Sequence, residues 1–184
     1  MLAFLDFEAS SLGDNSYPIE VGWVWADGRG EAHLIRPAPR WTDWDMQAQK
    51  IHGIPRAELE AKGEDHAAVA ARMIDVLTGH ELCASAPSWD GKWLSALLRA
   101  AGLPRHSLRL RDSDEMIAEA ARAILQPHFP ADRLEQALET ILTLDDLREA
   151  APAHRALEDA QAEWRKWQRV TQRAEEMAQA RAGV

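Results

Sequence analysis

The sequence predicts an α/β domain: a mixed five-stranded sheet with an antiparallel three-strand meander and helices on both faces. Three observations carry this expectation. The first thirty-six residues hold three strand-like runs joined by polar turns. After Pro39 the apolar residues fall at helical spacing instead. Two short apolar runs then interrupt the helices, and a meander followed by alternating strands and helices implies a mixed sheet covered on its faces.

Each element has its own local signal. Met1–Phe7 reads as the first strand, with a polar turn through Ser10, Ser11, Gly13, Asp14 and Asn15 behind it. Ile19–Ala26 and Glu31–Arg36 form a hairpin about Asp27-Gly28-Arg29-Gly30, and Pro37 and Pro39 stop it. Thr42 is placed to cap a helix through Trp44–Ile51, which Gly53 and Pro55 end. Val69, Met73, Val76 and Leu77 make a helical stripe, and Glu81–Ser85 suits a buried strand. Ser88 reads as the N-cap of a helix whose apolar face is Trp93, Leu94, Leu97, Leu98 and Ala101, ended by Gly102 and Pro104. Leu108–Arg111 is the fifth strand. Helices follow near Ser113–Leu125 and Arg133–Ile141, then a short one begun by Thr143 and Asp146 in a capping-box-like pattern. After Pro152 a long helix carries Leu157, Ala160, Trp164 and Trp167 on one stripe, and its end, Thr171–Val184, is expected to fray.

Composition narrows the class. The 184 residues are 46% apolar and 28% charged, as in a soluble globular domain with a real core. The single cysteine, Cys83, excludes an internal disulfide framework and suits a reducing, cytoplasmic location. No segment is apolar for long enough to span a bilayer, so no membrane association is expected. A net charge of −9 argues against coating nucleic acid by bulk attraction. The charge is uneven, however: Arg99–Arg111 holds four arginines and His106 with no acid. His33, His66, His80, His106 and His128 have no zinc-like spacing.

The chemistry begins in the first strand. Asp6 and Glu8 lie two positions apart in an apolar run, so a strand points both to one face. Two like charges there are costly unless a cation lies between them, and hard divalent cations take oxygen ligands. Asp90 lies at the start of a helix behind a buried strand, and Asp159 in the first turns of the last helix. His154 precedes Asp159 by five positions, about 140° around a helix, so it belongs on the loop or turn after Pro152. Four carboxylates and a histidine can thus converge on a site of the two-metal type, which clamps the attacking and leaving oxygens of a phosphoryl displacement. An imidazole titrates near neutral pH and suits a general base.

The ordered set resembles the DEDDh branch of the DnaQ-like 3′–5′ exonuclease family, which has a ribonuclease H-like fold. The resemblance lies in Leu5-Asp6-Phe7-Glu8-Ala9-Ser10-Ser11-Leu12, Ser88-Trp89-Asp90 and His154-Arg155-Ala156-Leu157-Glu158-Asp159-Ala160. It extends to Ile19-Glu20-Val21-Gly22, Ile51-His52-Gly53-Ile54 and Leu142-Thr143-Leu144-Asp145-Asp146-Leu147, nearly the whole chain. It departs at Ala86, where the second motif commonly carries Asn, and at Phe7 and Ala9, where Thr often flanks the acid.

The resemblance implies an exonuclease domain over residues 1–170 with a C-terminal helical tail over 171–184. It implies two Mg²⁺ or Mn²⁺ ions held by Asp6, Glu8, Asp90 and Asp159, with His154 as the base. Ser10, Ser11 and Leu12 would approach the terminal nucleotide, and His52 would stand on the groove wall. The partner would be the 3′ end of single-stranded nucleic acid or a short oligonucleotide, and the products nucleoside 5′-monophosphates. An oligoribonuclease-like or tRNA-trimming enzyme stays open, as does a non-catalytic or proofreading-type module. A homodimer or a polymerase partner also stays open.

Overall fold

The computed structural model describes residues 1–146 and 151–182. Strand β1 (Leu2–Ala9) alternates as the sequence requires. Ala3, Leu5, Phe7 and Ala9 join one apolar cluster, while Phe4, with Leu2 beside it, joins another on the opposite face. Asp6 and Glu8 continue the Leu2–Phe4 row, so that row turns from apolar to acidic at its C-terminal end. β2 (Pro18–Trp25), buried along its whole length, and β3 (Gly30–Arg36) complete the antiparallel meander. β5 (Glu81–Ala84) and β6 (Leu110–Asp112) add parallel strands on the other side of β1.

The sheet has six strands rather than the expected five, in the order β4-β3-β2-β1-β5-β6. The additional strand, β4 (Glu64–Asp65), is two residues long and pairs parallel with β3. Two exposed acids carry no apolar pattern that sequence could have marked as a strand.

Helices cover both faces, as expected. α3 (His66–Leu77) and α4 (Pro87–Ala100) pack on the Leu5–Phe7 side. α5 (Ser113–Leu125), α6 (Ala131–Asp146) and α7 (Ala156–Ala182) pack on the Phe4 side. α1 (Met46–His52) and α2 (Arg56–Lys62) close the β3 end, where Tyr17, Ile19, Ile54 and Leu59 form a third cluster. No described helix is long and apolar enough to cross a membrane.

Several local expectations are corrected. Asp45, not Thr42, caps α1, accepting the Gln47 N–H at 2.7 Å. α4 starts at Pro87 with Ala86 as its N-cap and no side-chain cap bond, so Ser88 lies inside the helix. α2 follows directly on Pro55, the residue that had read only as a stop; Pro55 occupies its N-cap with extended backbone. Thr143 starts no helix, because α6 runs through it to Asp146; the expected continuation at 147–150 lies outside the described residues. The tail does not fray away from the domain: α7 continues to Ala182 with Val170, Ala174 and Ala178 buried.

One glycine sets how closely α7 approaches the sheet. Gly22 lies opposite Asp6 in the β1–β2 register. A Cβ built there would stand 2.4 Å from the Leu157 amide nitrogen and 2.6 Å from the Ala156 carbonyl carbon. Those are backbone atoms at the start of α7 and cannot swing aside. Gly22→Ala should therefore cost about 1–3 kcal/mol by overpacking, read as a lower urea midpoint at an unchanged m-value. A midpoint equal to wild type would show that the start of α7 is not seated on β2.

Candidate active site

The acidic end of β1 opens into a cleft of about 640 Å³ lined by Asp6, Glu8, His154, Asp159 and Glu163. Asp6 and Glu8 reach it from β1, Asp159 and Glu163 from α7, and His154 from the loop before α7. Asp90, in the first turn of α4, is buried, and its Oδ1 accepts the Phe7 N–H at 3.1 Å. That amide lies between Asp6 and Glu8 in the chain, so α4 is tied to β1 at the site itself. Asp159 lies in the first turn of α7 and caps the loop before it: Oδ1 accepts from Ala153 N–H at 2.8 Å and Oδ2 from Arg155 N–H at 3.2 Å.

His154 stands between those two amides with a φ of 56°, the single non-glycine residue on left-handed backbone among the described residues. Such backbone is strained for a residue with a Cβ and persists only where its surroundings over-determine it. Here Asp159 bonds the amide on either side of it. Ligand-competent atoms of Glu8, His154 and Asp159 lie within 4.8 Å of one another.

The electrostatics follow from crowding. Burial pushes the Asp6 carboxyl up to about 9, and Asp90, Glu8, Asp159 and Glu163 push the same way. Burial raises Glu8 to about 8, with Asp159, Glu20 and Asp90 adding to it and Arg155 opposing. Asp90 rises to about 7 through burial, held back by the N–H groups of Phe7, Ala86 and its own backbone. The acids are thus stabilised by amides and destabilised by one another. An oxygen-rich, strongly negative pocket with one imidazole is a donor set that fits a hard divalent cation. The residues present fit the Mg²⁺ or Mn²⁺ implied by the sequence.

Sequence reasoning passed over three contributors. Glu20, on β2 opposite Glu8, is buried and accepts from Arg155 Nη2 at 2.7 Å, Arg155 Nε at 3.1 Å and the Ala156 N–H at 3.0 Å. Glu20 and Arg155 were both inside quoted motifs, but 135 positions separate them and no local pattern reports such a pair. The third is Glu163, one turn beyond Asp159, which adds a further carboxylate to the cleft and bonds the Ser113 hydroxyl. Its i+4 spacing from Asp159 was a readable signal.

The substrate-side residues divide. The buried Ser10 and Ser11 are engaged within their own turn: Ser10 Oγ accepts the Tyr17 N–H at 3.1 Å, Ser11 Oγ accepts the Gly13 N–H at 2.9 Å, and both hydroxyls face Asp43. Leu12 is 69% exposed. His52 is buried, its Nδ1 accepts the Ile54 N–H at 3.1 Å, and its Nε2 has no partner. Burial lowers the His52 pKa, so the ring is neutral and Nε2 carries the proton as an unanswered donor. Cys83 is buried and that burial pushes its thiol up to about 12, so it is not a reactive nucleophile. Trp89 is 37% exposed and stacks on Trp93 with the Lys92 ammonium over its ring.

No protein-family model and no curated protein sequence matches the chain. Solved structures do. The chain superposes on Escherichia coli exonuclease I in a zinc-bound complex with single-stranded DNA, with a TM-score of 0.66 and 20% identity, over 94% of this chain and 40% of that one. It superposes on the same enzyme bound to a dT13 oligonucleotide with a TM-score of 0.65 and 22% identity, over 97% and 42%. The chain therefore has the ribonuclease H-like fold of exonuclease I and spans about two fifths of that protein's length.

Two predictions arise from this geometry. Acids with raised pKa values bind more protons folded than unfolded, so metal-free stability should fall as pH rises from about 4 towards 9. A divalent cation needs the ionised carboxylates, so the melting-temperature gain from Mg²⁺ over EDTA should grow along the same pH axis. Asp6→Asn should flatten both trends and stabilise the metal-free protein by about 1 kcal/mol at pH 8. A flat wild-type profile would remove the crowding argument. The second concerns the clamp. Arg155→Ala leaves the buried Glu20 carboxylate beside Glu8 without its cation and should cost about 3 kcal/mol. Glu20→Gln leaves a half-exposed arginine able to reach water and should cost less. Urea melts of the two variants give the order, and equal losses would show the pair to be a surface ornament.

Proposed function

We propose that this chain is a divalent-metal-dependent 3′–5′ exonuclease acting on single-stranded nucleic acid or short oligonucleotides and releasing nucleoside 5′-monophosphates. The observation that carries this reading is the convergence of Asp6, Glu8 and Asp159 on one cleft with His154 beside them, and of the buried Asp90 on the Phe7 amide between Asp6 and Glu8. The shared fold with exonuclease I, which has been solved with single-stranded DNA, supports it.

Bound divalent cations would supply positive charge to the scissile phosphate. Asp6, Glu8, Asp90 and Asp159 would hold them. The chain's own residues do the rest. Asp159 holds the amides either side of His154, and Glu20 holds Arg155 and the Ala156 N–H, so the imidazole is presented over Glu8 and Asp159. From there it takes a proton from the attacking water. His52, which the resemblance puts on the groove wall, does not line the cleft, and its Nε2 is buried, so the sequence-based role for it in meeting the terminal nucleotide is not carried by this geometry. Leu12 offers an apolar surface to the terminal base, whereas Ser10 and Ser11 act by holding the turn that presents it.

The test is digestion of 3′-labelled single-stranded DNA and RNA with Mg²⁺, Mn²⁺ or EDTA. Stepwise 3′ shortening is expected with metal and none with EDTA; activity undiminished in EDTA, or no cleavage of either polymer with metal, would overturn the reading. The relative rates on DNA and RNA assign the sugar. His154→Ala should lower kcat by about 10²–10⁴-fold and leave the Mg²⁺-induced gain in melting temperature intact. Loss of that gain would make His154 a ligand instead of the base, a role its 4.8 Å cluster with Glu8 and Asp159 permits.

A further inference from the structure

A second cavity, of about 310 Å³, lies between α4 and the segment leading into β6. Pro87, Gly91 and Ser95 line one wall, and Arg105, His106 and Arg109 the other. No carboxylate lines it, in a chain whose net charge is −9. Both arginines are exposed, and neither is paired with a carboxylate among the described residues; the nearest polar contact is Arg105 Nε to His106 Nε2 at 2.9 Å. Arginine–carboxylate pairs engage Arg56, Arg72, Arg111 and Arg122 elsewhere on this surface, whereas Arg105 and Arg109 share one concavity without such a pair.

Gly91 points the same way. It lies inside α4, where glycine weakens a helix relative to alanine. A Cβ built there meets nothing within 4 Å, so packing does not demand the glycine. Its absence of side chain keeps the wall opposite the arginines low, which is what close approach of a ligand to helix backbone needs. The cavity also adjoins the catalytic cleft: Ser85 lines the cleft and Pro87 the cavity, so about 7 Å of chain at most separates the two linings.

We propose that this cavity is a phosphate-binding subsite that grips the backbone of the nucleic-acid strand away from its scissile end, with Arg105 and Arg109 as the contacts. The guanidinium fork suits phosphate oxygens, and phosphate contacts hold a strand in place without reading its sequence. Its placement makes the enzyme sensitive to strand length: oligomers too short to leave the catalytic cleft gain nothing from it. The identity of the ligand as a nucleic-acid strand rests on the exonuclease reading; the existence of an anion subsite does not.

The test measures binding and cleavage separately, on the whole chain. Fluorescence anisotropy with labelled single-stranded oligonucleotides of 2 to 16 residues, in EDTA so that nothing is cut, gives affinity against length and salt. Arg105→Ala/Arg109→Ala should weaken the long oligonucleotides about 3–10-fold and reduce the log–log salt slope by about 1.4, two phosphates' worth. Gly91→Ala should weaken them too while raising the melting temperature. In cleavage assays the arginine variant should raise KM for long strands and leave KM and kcat for a dinucleotide unchanged. Unchanged affinity and salt slope for long strands would overturn the proposal whatever the nuclease result. Equal weakening of the dinucleotide would overturn its placement away from the scissile end. Arginine- and length-dependent binding in a chain that never cleaves would uphold the subsite and sink the exonuclease reading alone.

Discussion

Repulsion among carboxylates at the end of β1 is the constraint around which the rest is arranged. At about 5 Å and an effective dielectric constant of about 20, each ionised pair costs about 3 kcal/mol, a large share of a domain's net stability. The fold meets this cost with backbone amides: Phe7 to Asp90, Ala153 and Arg155 to Asp159. Arg155, beside Glu8, is bound to Glu20 and only partly offsets the burial and the neighbouring acids that raise Glu8. Amides fix where the oxygens stand without neutralising them. The pocket is left rigid and short of positive charge, which is the condition for binding a cation from solution.

Rigidity depends on bringing a 27-residue helix close to the sheet at the site. Ala156 and Ala160 at the start of α7 and Ala174 and Ala178 further along are buried, a small-residue side that lets the helix lie low. Gly22 does the same from the sheet. The consequence is chemical: the helix start that carries Asp159 is held over the strand pair that carries Asp6, Glu8 and Glu20. Trp164 extends the seating towards the β2–β3 turn, where its indole N–H donates to the Ala26 carbonyl at 3.2 Å.

How much of this was legible divides by range. Period-two alternation put Asp6 and Glu8 on one face, and the 140° separation put His154 on the loop; both hold in the structure. The same local reasoning failed where two local signals competed. Thr42 and Asp45 are both good caps, and the choice between them depends on where the chain leaves Ser10, whose carbonyl accepts the Asp45 N–H at 2.9 Å. Pro55 read as an end although it also begins α2, because a proline at a helix start and one beyond a helix end look alike in sequence. Ser10 and Ser11 looked free to meet substrate since nothing nearby in sequence showed Asp43 as their partner. Glu20 with Arg155 needed the tertiary fold. Short elements such as β4 owe their form to a neighbour and have no pattern of their own.

An acidic protein that handles a polyanion has to place attraction where it helps. Inside the cleft two of the basic side chains are already committed: Arg169 forks onto Asp145 at 2.8 and 2.9 Å, and Lys166 meets Asp114 at 2.8 Å, while Arg165 also lines the wall. Burial would raise Asp145, yet Arg169 and Arg173 outweigh it and hold the carboxyl below its usual range, so the partnership persists at neutral pH. On the exonuclease reading, a strand end would find most of its positive charge in the cations that the carboxylates would hold. Cation and strand are then linked ligands, and whatever factor one adds to the affinity of the other is returned in full. On the exonuclease reading, carboxylates that repel one another would become, with cations between them, the means by which a chain of net charge −9 attracts a phosphate.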